Sequence, residues 1–297
     1  MKIRLALSII AAALLAACTT TQAEKKCCAQ KKDISIQLYS LRADMKKDAI
    51  ATIKDAGKMG FTSVEAAGYR DGKFYGMTPE EFKKNVEQAG MKVMSSHTRK
   101  TLSKKEIETG DFSESLAWWK TAIDAHKRAG AKYVVDPYQK FTTKKELEAY
   151  AKYFNEIGKL AKAAGLKFGY HNHAHEFQKI GNEVIFDYLI KNTNPDLVFF
   201  EMDVYWVVRG QQSPVEYFKK YPNRFKLLHI KDHKELGESG MVGFDAIFNN
   251  LPNSVEGIVV EVERYNFEPK ESVKKSINYL KNSCFVPVSY PKCCAKK

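Results

Sequence analysis

Cysteine is absent from the long central part of this sequence. The chain contains six cysteines in 297 residues, and none lies between residues 29 and 283. This distribution excludes a disulfide bond within the central part. The cysteines are confined to the two ends of the chain, at Cys18, Cys27, Cys28, Cys284, Cys293 and Cys294.

Long apolar runs are also absent after the first residues, so we expect no membrane-spanning helix in the body of the protein. At the start, MKIRLALSIIAAALLAACTT, Lys2 and Arg4 precede an apolar segment that is too short for a permanent span. Its last residues, LAAC, resemble a bacterial lipobox in which Cys18 is lipidated. We therefore predict that residues 1–17 are a lipoprotein signal peptide, and that the protein is exported and lipid-anchored on the periplasmic side of a bacterial membrane. A plain signal peptide with an incidental cysteine is the alternative.

The remaining cysteines lie mostly in two similar tails, EKKCCAQKK and YPKCCAKK. Disulfides form in exported proteins, so a disulfide between the tails is one hypothesis. Free or vicinally paired thiols in frayed tails are the other. We predict a tether over residues 18–32 and a cysteine-containing tail over residues 284–297.

Basic residues are numerous but not clustered in the sequence. The formal net charge is +13, and the lysines are scattered along presumed helices. A nucleic-acid partner would favour a concentrated basic patch, and export removes the protein from the genome. We therefore predict no nucleic-acid partner, and a solvated basic surface that is attracted to anionic lipid or glycan.

No glycine-rich phosphate loop follows the first predicted strand, which disfavours a doubly wound open sheet. Instead, one pattern recurs in DAGKMGFTSVE, EQAGMKVMSSH, KRAGAKYVVDP and KAAGLKFGYHN, where Ala-Gly separates a helix from a short apolar strand. Glycine just after a helix accepts a positive φ and ends the helix. The pattern predicts such helix ends at Gly57, Gly90, Gly130 and Gly165.

Eight strand–helix alternations can be counted, and none carries a hairpin signal. This pattern predicts an α/β protein with a single (β/α)8 TIM barrel over residues 33–283. In a barrel the chain start and the chain end lie close together, which would allow the two tails to meet. The strands are predicted at residues 33–39, 62–67, 91–96, 131–136, 166–172, 197–203, 225–230 and 257–263.

Three of the seven histidines lie in GYHNHAHEF, residues 169–177, at alternate positions. At the end of a strand, alternate residues share one face. Neutral imidazole is a common metal ligand and a general acid or base near neutral pH. His171 and His173 are therefore candidates for metal binding or catalysis, whereas His175 is expected to be a loop residue held by hydrogen bonds. A polar turn without a catalytic role is the alternative.

Every predicted strand ends in titratable or hydrogen-bonding residues. In a TIM barrel these residues lie at the carboxyl-terminal face, where barrel active sites are found. The sequence therefore predicts an active site at this face. Its candidate residues are Gln37, Tyr39, Arg42, Glu65, His97, Asp136, Tyr138, His171, His173, Glu176, Asp203, Tyr205, Trp206, His229, Lys231, Asp232, Glu261 and Glu263.

Motifs at four of these strands resemble the xylose isomerase-like TIM barrels, in the branch of sugar phosphate isomerases and epimerases. They are IQLYSLR at the first strand, YHNHAHEF at the fifth, a run from EMDVYW to LLHIKD over the sixth and seventh, and VVEVERY at the eighth. The resemblance implies one divalent metal ion held by Glu, Asp, His and Glu from four strands. Asp203, His229 and Glu261 match the last three ligands, whereas His171 replaces the first.

This replacement changes the metal that we expect. A set of two imidazoles and two carboxylates suits Mn, Co, Zn or Fe(II). Mg prefers oxygen ligands and is disfavoured. The cofactor predicted from the resemblance is therefore one divalent ion, and we expect Mn, Co, Zn or Fe(II) in preference to Mg.

The implied chemistry is removal of a proton beside a metal-polarised carbonyl. Reprotonation would give an isomerase or epimerase, and loss of a β-substituent would give a lyase. Sugar phosphates are intracellular, so the predicted export favours unphosphorylated substrates. Our preferred prediction is a β-eliminating lyase that acts on 3-keto glycosides. Predicted catalytic residues are Glu261, His97, His173 and Lys231, and predicted substrate contacts are Tyr39, Arg42, Glu65, Glu176, Trp206 and Glu263.

Other functions remain as alternatives at this stage. A sugar isomerase or epimerase of the same family is the closest one, and a non-catalytic sugar-binding barrel would need no metal. A DNA-repair endonuclease would need more metal ligands, and a glycoside hydrolase using Glu261 and Asp203 would not need the histidines. The expected partner is a small sugar or oxidised glycoside, with the membrane contacted only through the lipid, and the oligomeric state is left open.

Overall fold

Eight parallel strands form the centre of the molecule in a computed structural model, which describes residues 31–291. Every strand is short and almost wholly buried, as expected where helices cover a parallel sheet. The strands are β1 (Ser35–Gln37), β2 (Ser63–Ala66), β3 (Lys92–Ser96), β4 (Tyr133–Asp136), β5 (Lys167–His171), β6 (Val198–Asp203), β7 (Phe225–Lys231) and β8 (Gly257–Glu261).

The strands pair in the order β3-β2-β1-β8-β7-β6-β5-β4, and all pairs are parallel. The two outer strands approach each other, because His97 and Val135 form a parallel bridge. Thr98 N also donates to Val135 O at 2.9 Å, and Lys132 N donates to Met94 O at 3.0 Å. The sheet therefore closes into the predicted (β/α)8 barrel, and all eight carboxyl ends meet at one face.

Helices cover the outside of the barrel and bury their apolar faces against it. Three of them begin with reciprocal capping boxes, Thr78 with Glu81, Ser103 with Glu106 and Thr143 with Glu146. The helices are α1 (Arg42–Lys47), α2 (Ala49–Met59), α3 (Pro79–Gln88), α4 (Lys104–Thr109), α5 (Ser113–Arg128), α6 (Lys144–Ala163), α7 (Ile185–Asn192), α8 (Val204–Arg209), α9 (Pro214–Lys220), α10 (Phe244–Asn249) and α11 (Pro269–Asn282).

The glycine pattern was right for three helix ends and wrong for one. Gly90, Gly130 and Gly165 adopt positive φ just after a helix. Gly57, however, lies inside α2, and Gly60 with a φ of 95° ends that helix instead. A Cβ at Gly57 would lie 2.2 Å from the carbonyl oxygen of Ala89, so this glycine serves close packing of α2 against the end of α3.

Two small hairpins interrupt the alternation of strands and helices. Tyr69–Arg70 pairs with Lys73–Phe74, and Lys179–Ile180 pairs with Glu183–Val184, both antiparallel. The sequence carried no signal for these hairpins, because two-residue strands are too short to show an alternating pattern. Both hairpins follow barrel strands and so lie at the carboxyl-terminal end.

The chain start and the chain end meet at the opposite end of the barrel. Asp33 N donates to Val288 O at 2.8 Å, and Val286 is buried, so the folded body extends past residue 283. Within residues 31–291, every helix is too short or too polar to cross a membrane. The predicted signal peptide, Cys18 and the paired cysteines of the tails lie outside the described residues.

Candidate active site at the carboxyl ends of the strands

A cavity of about 530 Å³ opens at the carboxyl-terminal face. Another cavity, of about 590 Å³ around Glu256, lies at the opposite end of the barrel and holds none of the predicted site residues. We therefore place the site in the first cavity, where the polar strand ends converge. The predicted residues that line it are Tyr39, His97, Tyr138, His171, His173, Glu261 and Glu263.

Two buried carboxylates form the floor beneath this cavity. Glu201 Oε2 lies 2.8 Å from His97 Nε2 and 3.1 Å from His171 Nδ1. Glu65 Oε1 lies 2.6 Å from His229 Nε2, and it also accepts a hydrogen bond of 2.8 Å from Gln37 Nε2. Each imidazole thus directs one nitrogen downward, to a carboxylate of the floor.

These hydrogen bonds determine which imidazole nitrogens remain available above the floor. When His171 donates from Nδ1 and His229 donates from Nε2, the lone pairs of His171 Nε2 and His229 Nδ1 point the other way. Carboxylates that orient histidines in this manner are common behind metal ligands. Glu65 was predicted to contact substrate, but its carboxylate is fully buried and held by protein groups, which fits a positioning role.

The atoms that face upward form a set suited to a metal ion. Asp203 Oδ2 and His229 Nδ1 are both buried and have no hydrogen-bond partner within residues 31–291. Glu261 Oε2 lies 3.5 Å from His229 Nδ1, and His171 Nε2 lies 3.8 Å from Asp203 Oδ2. Buried polar atoms without partners are costly, and a cation would satisfy both of them. Asp203, His229 and Glu261 therefore form one group that could hold a metal ion, and His171 adjoins this group through Asp203.

A second group of ligand-type atoms lies in the floor itself, formed by His97, His171, Glu201 and His229. Its nitrogen–oxygen distances of 2.8 to 3.3 Å are those of ordinary hydrogen bonds. One nitrogen of each imidazole is directed to Oε1 of Glu65 or Oε2 of Glu201, whereas Oε1 of Glu201 has no hydrogen-bond partner among the described residues. We therefore interpret the floor as the support of the candidate metal site.

The pKa values of the site's titratable groups are shifted in both directions within each layer, since the pKa of Glu201 is raised by burial and by Glu65, and that of Glu261 is lowered by Lys231 in spite of burial. Burial opposes ionisation of Glu65, but His97 and His229 outweigh it and lower the pKa of this carboxyl to about 2. Burial raises the pKa of Asp203 to about 7. Burial, with the positive field of His229 and His97, holds the pKa of His171 well below its usual range, so this imidazole is neutral and suited to ligation.

Lys231 joins the metal cluster to the wall of the cavity. It is buried, and its Nζ lies 2.9 Å from Glu261 Oε2 and in contact with Glu263. Burial opposes its charge, but Glu261, Asp203 and Glu263 raise the pKa of the ammonium group. The Nζ also lies 5.3 Å from the ring centroid of Trp206. Lys231 therefore carries a fixed positive charge beside the ligands.

The loop after β5 is fixed by hydrogen bonds to a buried glutamate that lies behind the cavity. Glu176 is fully buried, accepts from Tyr170 OH at 2.6 Å and from His173 N at 2.8 Å, and so fixes the loop rather than lining the cavity. His173 lines the cavity, and burial lowers the pKa of its imidazole to about 3. The Nε2 atom of His175 lies 2.9 Å from the carbonyl oxygen of Gln139, as expected of a loop residue held by hydrogen bonds.

Three predicted substrate contacts lie at or near the rim. Tyr39 is 43% exposed and lies between the active-site cavity and a smaller one beside it. Arg42 lines the smaller cavity only, and donates to Tyr265 OH at 2.6 Å and to Glu263 O at 3.0 Å. Trp206 packs against His173, with ring centroids 5.4 Å apart, and is half-buried. Of these three residues, Tyr39 is the one on the cavity wall.

Glu201 is the functional residue that the sequence interpretation missed. It stands in the strand LVFFEMD, two residues before Asp203, so both side chains point into the barrel. A charged residue inside an otherwise apolar strand is expensive to bury unless it is paired. This isolated glutamate was the available signal.

The family of the chain follows from comparison with known proteins. The profile described as "Xylose isomerase-like TIM barrel" matches residues 53–283. A solved structure of a sugar phosphate isomerase/epimerase from Parabacteroides distasonis is 36% identical, with a TM-score of 0.78, and the match covers 86% of this chain and 96% of that one.

Curated relatives match over a shorter part of the sequence. Inosose dehydratase of Clostridium tetani is 29% identical over 171 residues, which are 48% of this chain and 57% of the relative. Inosose dehydratase of Clostridium perfringens is 34% identical over 163 residues, 46% of this chain and 54% of the relative. The chain thus spans about half the length of these relatives. With the family profile matching most of the barrel, the chain belongs to the xylose isomerase-like TIM barrel family of sugar-modifying enzymes.

Proposed function

We propose that this protein is a divalent-metal-dependent lyase that acts on unphosphorylated 3-keto glycosides. It would remove the proton beside a ketone and expel the sugar substituent on the next carbon. This proposal combines the predicted export of the chain with the donor set of the site. Relatives named as inosose dehydratases, in which loss of water is likewise an elimination, support the reaction type.

The observation that carries the proposal is the pair of unsatisfied buried atoms, Asp203 Oδ2 and His229 Nδ1, beside His171 and Glu261. Imidazole and carboxylate donors in equal number suit Mn, Co, Zn or Fe(II). A divalent ion held there would polarise a substrate carbonyl and make the adjacent C–H more acidic.

The chain's own residues would supply the proton transfers. Glu261 belongs to the donor set, and Lys231 holds its pKa well below the usual range in spite of burial, so it is a weak base. Glu263 lines the cavity outside the donor set and contacts Lys231. We assign proton removal to Glu263 instead of Glu261 because a bound cation would occupy the carboxylate of Glu261, whereas Glu263 lies outside the donor set. Lys231 would offset the negative charge that develops on the substrate oxygen.

The leaving oxygen needs an acid. Burial opposes protonation of His97, but Glu65 and Glu201 raise the pKa of this imidazole. His97 also lines the cavity, so it can carry a proton to the leaving oxygen. His173, whose pKa is lowered, is assigned the role of a neutral hydrogen-bonding contact to a sugar hydroxyl.

A sugar isomerase or epimerase is the second candidate. The observation that favours it is the 36% identity, over most of both chains, to a protein named sugar phosphate isomerase/epimerase. The two candidates share the metal site and the proton-removing carboxylate. They differ in whether a substituent leaves after the proton has been removed.

The experiment is to incubate residues 19–297, which contain the whole described fold, with a methyl 3-keto-glucoside and Mn, Co or Zn. Elimination predicts release of methanol together with the absorbance of a conjugated enone. Isomerisation or epimerisation predicts exchange of the proton for solvent deuterium without methanol release. Asp203→Asn is the control for a metal-dependent reaction. If methanol release and deuterium exchange are both absent with every metal, both candidates are contradicted.

A further inference from the structure

Basic residues gather at the end of the barrel opposite the active-site cavity, where the helices end and the strands begin. The last turns of the large helices are basic in six cases, in α2, α5, α6, α7, α9 and α11. We call this end of the barrel the basic face. Its helix residues are Lys58, Lys127, Arg128, Lys162, Lys191, Lys219, Lys220 and Lys281.

Helix dipoles explain part of this arrangement, because cations are stabilised at helix carboxyl termini. They do not explain the lysines at strand starts, which are Lys92, Lys132, Lys167 and Lys226. Three of these surround the single carboxylate of Glu256, at 2.7, 2.7 and 3.6 Å. The excess of positive charge on this face is therefore greater than helix capping requires.

The opposite end of the barrel has a different charge. There the helices begin with acidic first turns, which offset the arginines and lysines of the surrounding loops. The acidic first-turn residues that lie away from the basic face include Glu81, Glu114, Glu146, Asp245 and Glu271. Three others pair with residues of the basic face and offset part of its charge, namely Glu80 with Arg128, Glu216 with Lys219 and Asp187 with Lys220. Positive charge is thus concentrated at one end of the barrel.

Both ends of the described chain leave from the basic face, where Asp33 N bonds to Val288 O. The adjoining sequences, EKKCCAQKK before residue 33 and KCCAKK after residue 291, add more lysines. From the predicted lipid attachment at Cys18 to residue 31, a fully extended chain spans at most about 45 Å. A lipid anchor at Cys18 would join the barrel from the side of the basic face.

We propose that the basic face docks on an anionic phospholipid surface. Lysines near such a surface are attracted by about 1 kcal/mol each, and a single lipid chain needs a second signal of this kind for stable anchoring. The active-site cavity, at the other end of the barrel, then opens away from the membrane toward substrate in water. This inference is independent of the proposed lyase activity.

The experiment is vesicle co-sedimentation of residues 19–297 under reducing conditions, without the lipid. Vesicles of phosphatidylcholine alone are compared with vesicles containing about one third phosphatidylglycerol, at about 0.02 M and about 0.5 M salt. Docking predicts sedimentation with the anionic vesicles at low salt and release at high salt. Absence of sedimentation with anionic vesicles, or equal sedimentation with both kinds, would overturn the proposal.

Two matched variants locate the surface. The first carries Lys58→Gln, Lys92→Gln, Lys162→Gln and Lys191→Gln on the basic face. The second carries Lys104→Gln, Lys105→Gln, Lys140→Gln and Lys179→Gln at the cavity end, and all eight lysines are exposed. The first variant should lose at least about tenfold in affinity for anionic vesicles, and the second should lose less than about threefold. Equal losses in two variants with matching unfolding temperatures would show that no particular face docks.

Discussion

Glu65 and His229 are joined inside the barrel by a hydrogen bond of 2.6 Å between Oε1 and Nε2. This bond leaves Nδ1 of His229 unpartnered among the described residues and close to Asp203 and Glu261. The same relationship is repeated by Glu201 and His171, at 3.1 Å. The two carboxylates of the floor thus orient the two imidazoles of the metal cluster.

We predict that Glu65→Gln lowers metal affinity without removing a ligand. The amide can present its NH₂ group instead of an acceptor to His229, so the imidazole loses its fixed orientation. The expected loss is about 10- to 100-fold in affinity for Zn or Co, measured by competition with a chromophoric chelator. Glu146→Gln, in the capping box of α6, is the control and should leave the affinity unchanged. Equal affinities for Glu65→Gln and wild type would contradict the positioning role.

We predict that Lys231→Met reduces turnover strongly and metal content little. The substitution removes the charge beside Glu261 and Glu263 but none of the four predicted ligands. The expected loss in kcat is about 10²- to 10³-fold, as for removal of one electrostatic stabiliser. Lys226→Met, at the opposite end of the same strand, is the matched control. A loss of metal in proportion to activity would instead assign Lys231 to support of the ligands.

Glu256 should make stability depend on pH. Burial opposes its ionisation, but hydrogen bonds from Lys132, Lys167 and Tyr133 lower the pKa of its carboxyl from 4.5 to about 2. The folded state therefore binds the proton more weakly than the unfolded state, so the stabilisation is complete above pH 4.5 and is lost as the pH falls toward 2. Glu256→Gln should cost about 1 kcal/mol at neutral pH and progressively less below pH 4.5, in urea unfolding at several pH values. A cost independent of pH would contradict this reasoning.

Gly169 should tolerate no side chain inside the barrel. A Cβ there would lie 2.5 Å from Cζ of Phe199, which packs in the barrel interior with Tyr133 and Leu227. Gly169→Ala is therefore expected to lower the free energy of unfolding by about 1–3 kcal/mol through overpacking. Gly243→Ala, where the nearest atoms lie 3.9 Å away, should change it by less than about 0.5 kcal/mol. Equal effects of the two substitutions would show that the interior adapts around Gly169.

The barrel could be predicted because its signal repeats. Each unit has a turn with glycine or polar residues, then a short apolar strand such as VFFEMD or GIVVE, then polar residues at the carboxyl end of the strand. Eight such units in succession predict one closed parallel sheet. The hairpins and the end of α2 could not be predicted in the same way. They depend on two-residue pairings and on the close approach of Gly57 to Ala89.

The site was only partly predictable. The sequence placed Asp203, His229, Glu261 and His171 at neighbouring strand ends. In the structure the first three form one group of possible metal ligands, and His171 lies beside it, 3.8 Å from Asp203. The sequence did not distinguish residues that face the cavity from those behind it. Glu65, Glu176 and Glu201 are fully buried behind the cavity, which only the pairing register and the burial show. Their partners come from other strands, and one chain read alone does not specify those contacts.

The most direct test of the account is the metal content of residues 19–297, wild type against the double variant Asp203→Ala with His229→Ala. We predict close to one transition-metal ion per wild-type chain after exposure to Mn, Co or Zn, and loss of this ion in the variant. Absence of bound metal in the wild-type protein under all three conditions would contradict the metal site and, with it, both the elimination and the isomerisation chemistry.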